Sequence, residues 1–258
     1  MAAAFALALC DPSAKCKAVE RLKIAAAGGE LSVEPLAVVE MGSEPGRPAH
    51  PTLVHPSRVA RRRLGTLTGR IALLHALAHI EFNAINLALD AAARFPGLPE
   101  QYYYDWIKVA GEEAYHFSLL CERLAAVDQT YGALSAHDGL WEVAEKTRHD
   151  VLARMAVVPR VLEARGLDVT PGLQNRLRAV GDEATVAVLE VIFQDEIRHV
   201  AIGNHWFYFL CRTRSLDPRA TFLTFCADLG ISTPHPPFNM PARKAAGFDA
   251  DELIALEK

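Results

Sequence analysis

From about Val59 onward, apolar residues recur every three or four positions in long segments, and almost no stretch alternates with the period of two that a half-buried strand requires. The pattern predicts an all-α core. Its first helix runs from about Arg70 to Phe95, where Pro96-Gly97-Leu98-Pro99 stops it, and its second from about Glu100 to Asp128. So short a connection makes these two an antiparallel hairpin. After a loop through Tyr131-Gly132 and Ser135 to His137, Asp138 can N-cap a third helix that reaches about Arg165, with Pro159 predicted to kink it. Gly166 to Gly172 reads as a break, followed by a short helical stretch to Val180. Gly181-Asp182 then opens a fourth helix that ends near Arg212.

The flanks follow other rules. Residues 1 to 27 read as helix broken around Pro12, and residues 28 to 57 carry so many Gly and Pro residues that an irregular arm is expected. Beyond Arg212, Asp217-Pro218, a short helix near Thr221 to Leu229 and the run Pro234 to Phe238 read as a packed tail. The organisation is therefore an N-terminal helix and arm (1–57), a four-helix bundle (58–213) and a C-terminal tail (214–258).

Composition narrows the classes. A chain of 258 residues with 51% apolar content can bury a large core. The net charge of −4 supplies no global basic field for nucleic acid or an anionic membrane, and the local run Arg61-Arg62-Arg63 with Arg70 reads as a solvated helix start. Five scattered cysteines without a C-x-x-C pair argue against a disulfide framework or a thiolate metal site. The apolar start, Met1 to Cys10, has no Lys or Arg before it and no small-residue cleavage signal after it. No uninterrupted apolar run reaches the roughly eighteen residues of a membrane span. A soluble, cytoplasmic protein is expected, without membrane contact.

Two motifs carry chemistry, Glu113-Ala-Tyr-His116 on the second helix and Glu196-Ile-Arg-His199 on the fourth. Composition alone yields roughly half of one Glu-x-x-His in a chain this long, so either motif is weak by itself. Their context is stronger: Glu81 on the first helix lies 32 residues before Glu113, and Glu163 on the third lies 33 before Glu196. The midpoint of the first pair falls at Gly97, inside the predicted turn, and that of the second between Ala179 and Val180. Residues three apart share a helix face, so each motif presents a carboxylate and an imidazole together. Carboxylates balance the charge of two cations while imidazoles bind terminally, which is the ligand set of the ferritin-like di-metal bundles. Were the third helix to turn at Gly166 to Gly172, Glu163 would sit about 20 Å or more from Glu196 at 1.5 Å per residue, and Glu145 with His149 would be better placed.

The surroundings agree with a buried site. Leu74, Leu77, Ala78, Ile85 and Ala88 flank Glu81, and Leu189, Ile192, Phe193, Val200 and Gly203 flank the second motif, so unpaired carboxylates there would be costly. A salt bridge to Arg160 or Arg198 is the competing explanation. Asp195 and Glu112 stand where they can accept a ligand histidine's other N–H. His75 and His79, with Asn83, Asn86 and Asp90, read as a polar seam. Tyr102 to Tyr104, Tyr115 and His205 read as packing.

With Ala76 to Asn86, Glu112 to Phe117, Arg160 to Asp168, Asp195 to Val200 and Pro237 to Arg243 in view, the chain resembles the ferritin-like family known as domain of unknown function 455 over nearly its whole length. That resemblance implies a fold and no reaction. More distantly, Leu162-Glu-Ala-Arg165 followed by a Glu-x-x-His is similar to the di-iron tRNA hydroxylases acting on a prenylated adenosine, from which the proline-rich arm and long tail depart. The expectation is an oxidoreductase binding two metal ions, iron or manganese, on Glu81, Glu113, His116, Glu163, Glu196 and His199. It would oxidise a small-molecule or RNA substrate with electrons from a separate reductase, as a monomer or homodimer. The alternatives are an iron-handling protein without organic substrate and a metal-free structural bundle.

Overall fold

A computed structural model describes residues 2–31, 44–59 and 63–256. Arg61, Arg62 and the middle of the predicted arm lie outside the described residues. The chain divides into two compact units, Met1–Glu142 and Val143–Lys258. Both are helical, and the described residues form no strand beyond one isolated bridge between Leu53 and Ala136.

The first unit contains α1 (Ala2–Ala8), α2 (Pro12–Ala27), α3 (Leu67–Arg94) and α4 (Glu100–Ala125). Pro12 opens α2 because its missing N–H is one that a first turn leaves unpaired anyway, while the Asp11 carboxylate accepts from Ala14 N at 2.7 Å. The turn between α3 and α4 needs Gly97, whose φ of +80° a side chain would oppose. The Tyr103 hydroxyl bridges that turn, donating to Phe95 O at 3.0 Å and accepting from Leu98 N at 3.1 Å. Tyr102 donates to Ala91 O at 3.2 Å near the turn, and Glu81 meets His116 farther along, so the helices run antiparallel. By length and composition α3 could cross a membrane, a property that Glu81 and Asp90 hide from a search for uninterrupted apolar runs. Its most apolar window is 72% buried within the fold, so that character fills a core.

The polar seam of α3 docks irregular chain. His75 Nε2 accepts from Gly132 N at 3.0 Å, and His79 donates from Nε2 to His137 O at 3.1 Å while its Nδ1 accepts from the Tyr131 hydroxyl at 2.9 Å. Asn86 accepts from Lys15, a fully buried lysine whose ammonium also reaches Leu7 O at 3.0 Å and Gly46 O at 2.9 Å. One side chain thus gathers α1, α2, the arm and α3. Arg47 anchors the arm further through Asp138 at 2.8 Å.

The second unit corrects the predicted third helix. After the short α5 (Gly139–Lys146), Asp150 caps a new start by accepting from Leu152 N at 2.9 Å. The chain then continues without a break through α6 (Val151–Val157), a π-helical turn (Val158–Glu163) and α7 (Ala164–Arg178). Pro159 sits in that widened turn, which accommodates its ring and absent N–H. Gly166 to Gly172 is helical too. Pro171 frees the carbonyl of Leu167, and the side-chain amide of Asn239 donates to it at 3.1 Å. The actual turn lies at Ala179–Asp182, with Gly181 at φ +75° and Asp182 capping α8 (Glu183–Thr213) through Thr185 N. The tail folds into α9 (Pro218–Asp228), α10 (Met240–Ala245) and α11 (Ala250–Leu256). Ala164, Leu167, Val200, Ala242, Ala246 and Phe248 form one buried cluster that joins α7, α8 and α10.

Candidate metal centre

In the first unit the antiparallel register brings Glu81 of α3 beside Glu113 and His116 of α4. All three are buried, at 4%, 0% and 0% exposure, and each offers a ligand atom within 4.8 Å of the others'. His116 Nδ1 stands 3.3 Å from Glu81 Oε2 and 3.2 Å from Glu113 Oε2. Ala78 and Ile85, one turn either side of Glu81, and Ala110 and Phe117 beside the motif are buried as well, which keeps water from screening the charges.

Electrostatics follow from that crowding. Burial, reinforced by the Glu113 carboxylate, holds the Glu81 carboxyl well above the usual carboxylate range. Burial alone would lower His116, but its hydrogen bonds to Glu113 and Glu81 and their charges outweigh it and push the imidazole up to about 12. Without a metal, the ring is therefore a cation that balances one ionised carboxylate, while the Glu81 carboxyl keeps its proton. A divalent ion at the same point fits this donor set, since it replaces that positive charge and meets two hard oxygens and one imidazole nitrogen.

In the second unit Glu163 ends the π-helical turn, while Glu196 and His199 lie on α8. His199 is fully buried and the two glutamates are half-buried. Arg160 contacts Asn204, Gln174 contacts Glu190 at 2.9 Å, and Pro159 lies against Gly203, which together fix an antiparallel register. In that register Glu163 stands level with His199 and Val200, about one turn from Glu196. Glu145 belongs to α5 and pairs with Arg148 at 3.3 Å, and His149 is exposed in the turn before α6; neither shares a helix with Glu163. Of the two arginines named as competitors, Arg160 binds Glu252 and Asn204, and Arg198 binds Asp195.

The polar seam and the tyrosine run are packing, as their hydrogen bonds to backbone and neighbouring rings show. Sequence reasoning missed the π-helical turn that carries Glu163; Pro159 was its only local signal. It also missed the partners of Arg160 and Arg243, which lie 44 to 92 residues away along the chain.

The sequence profile of a family described as "Protein of unknown function (DUF455)" matches residues 8–254. An uncharacterized protein of Haemophilus influenzae is 47% identical over 213 residues, covering 80% of this chain and 74% of that one. No solved structure matches.

Proposed function

The chain belongs to the DUF455 family, and from that premise we propose that it is a ferritin-like protein binding two metal ions, iron foremost and manganese second, on Glu81, Glu113, His116, Glu163, Glu196 and His199. The observation that carries this reading is the buried Glu81, Glu113 and His116 set. Two carboxyls in one apolar site can both ionise only when enough positive charge accompanies them, and the single imidazolium of His116 balances one of the two, so Glu81 keeps its proton until a cation takes its place. The same residue types recur in the same order and at nearly the same spacing in Glu163, Glu196 and His199, which supports a second ion.

Bound iron would supply the reduction of dioxygen coupled to oxidation of an organic substrate. The protein's own part is to neutralise, orient and exclude water. Glu81 and Glu113 provide the anionic oxygens, and His116 must release its Nδ1 proton before that nitrogen can bind a metal, so loading is tied to proton release. Electrons would come from a separate reductase, for a small-molecule or RNA substrate, in a chain acting alone or as a homodimer. Five free cysteines suit the reducing cytoplasm as its location.

Elemental analysis of protein from iron-supplemented cells tests the reading. Close to two iron or manganese atoms per chain are expected, with most lost in Glu113→Ala and in Glu196→Ala and retained in Glu190→Ala. Full retention in both motif variants would overturn the assignment. Dioxygen uptake that needs only ferrous iron, with no further turnover when a reductant is supplied, would favour iron handling over substrate oxidation.

A further inference from the structure

Two arginines of the second unit, Arg160 and Arg243, are each only 1% exposed. Arg243 forks onto Asp168 through Nε at 2.9 Å and Nη2 at 2.7 Å. Arg160 donates to the Asn204 side chain and to Glu252 of α11. After these bonds Nε of Arg160 and Nη1 of Arg243 remain buried with no acceptor among the described residues. A buried cationic N–H without an acceptor is costly, so two in one place call for an explanation.

Both guanidinium groups stand 5.0 Å from the ring of Phe248 and line a cavity of about 240 Å³. Arg219 stands at the same cavity, and its apolar walls include Phe222, Leu223 and Phe248. Arg160, Arg219 and Arg243 stand at the cavity and Arg165 lies 3.9 Å from Asp168, so the guanidinium groups outnumber the two carboxylates, Asp168 and Glu252, and positive charge remains for an anionic ligand. Arg160 already holds one carboxylate, that of Glu252, whose other oxygen accepts from the Tyr208 hydroxyl. Glu252 belongs to a seven-residue helix, α11, near the end of the chain.

We propose that this cavity binds a small organic acid, its carboxylate between Arg160 and Arg243 and its apolar body against Phe222, Leu223 and Phe248, with Glu252 occupying the carboxylate position until the ligand arrives. The residual positive charge suits an anion, and the aromatic walls suit a hydrocarbon body that a bare phosphate lacks. The cavity is lined by none of the candidate metal ligands, although Arg160 shares the π-helical turn with Glu163.

Titration calorimetry on the full chain tests it, with sodium hexanoate as probe, hexanamide as its uncharged counterpart and inorganic phosphate as an anion without an apolar body. Hexanoate should bind saturably with one site per chain, at least tenfold tighter to Glu252→Gln, which removes the resident charge, and several-fold weaker to Arg219→Ala. Hexanamide should not bind. Absence of saturable hexanoate binding to both wild type and Glu252→Gln, each shown to melt cooperatively, would overturn the proposal, as would phosphate or hexanamide binding as tightly as hexanoate.

Discussion

Gly203 on α8 lies so close to Pro159 that a β-carbon built on the glycine would stand 2.2 Å from the proline Cβ and 2.4 Å from its Cγ. The contact sets the distance between α8 and the turn that carries Glu163, and neither a pyrrolidine ring nor a helix backbone can step aside as a flexible side chain would.

Gly203→Ala therefore opposes two effects. Alanine favours a helix interior over glycine by about 1 kcal/mol, but overpacking a rigid contact costs typically 1 to 3 kcal/mol. The second should win, lowering the midpoint of thermal unfolding by several degrees. An unchanged or raised midpoint would show that the helices part freely here.

How much of this could be read beforehand differs between the two units. The hairpin of α3 and α4 was legible because period, Pro-Gly punctuation and the midpoint of Glu81 and Glu113 all agree locally. The long helix through Glu163 was not, because Gly166 and Pro171 carry the local signature of a break. What cancels it is Asn239, 72 residues away, which takes up the Leu167 carbonyl. A fully buried Lys15 was equally invisible, since its three acceptors come from Leu7, Gly46 and Asn86. The grouping of Glu81 with Glu113 and His116 was legible, because helical spacing puts a Glu-x-x-His on one face and the turn at Gly97 sets the register.

Asn239 also caps α10, its side-chain oxygen accepting from Ala242 N at 3.3 Å. Asn239→Asp retains that acceptor and loses the donor to Leu167 O, which separates the two roles. It should destabilise by about 1 to 3 kcal/mol, the range for a buried carbonyl left unsatisfied. Urea unfolding checks this, and stability equal to wild type would mean that Pro171 needs no outside partner.

His79 makes the fold acid-sensitive. Burial pulls its imidazole down from 6.5 to about 4, against the opposing hydrogen bond to the His137 carbonyl. Between those values the unfolded chain takes up a proton that the folded chain refuses, so stability is complete above pH 6.5 and declines as pH falls toward 4. The full effect approaches roughly 3 kcal/mol. His79→Gln should be less stable than wild type at pH 7.5, with the gap narrowing at pH 5. Parallel stability profiles from urea melts across that range would show that His79 does not titrate between the two states.

Glu81 should oppose stability to the extent that it serves metal binding. Its ionised form is disfavoured by burial and then by Glu113, so in metal-free protein at neutral pH the folded chain holds Glu81 protonated where the unfolded chain would ionise it, which opposes folding. Glu81→Gln keeps the shape and an acceptor for His116 while removing the ionisable group. Stripped of metal by a chelator, the variant should melt higher than stripped wild type, by an amount equivalent to about 1 to 2 kcal/mol. With iron or manganese present the order should reverse, because wild type gains stability from every ion it binds and the variant has lost an anionic ligand. A stripped Glu81→Gln that melts lower than wild type would mean that the pairing of Glu81 with His116 is itself a net stabilising salt bridge, complete without a metal.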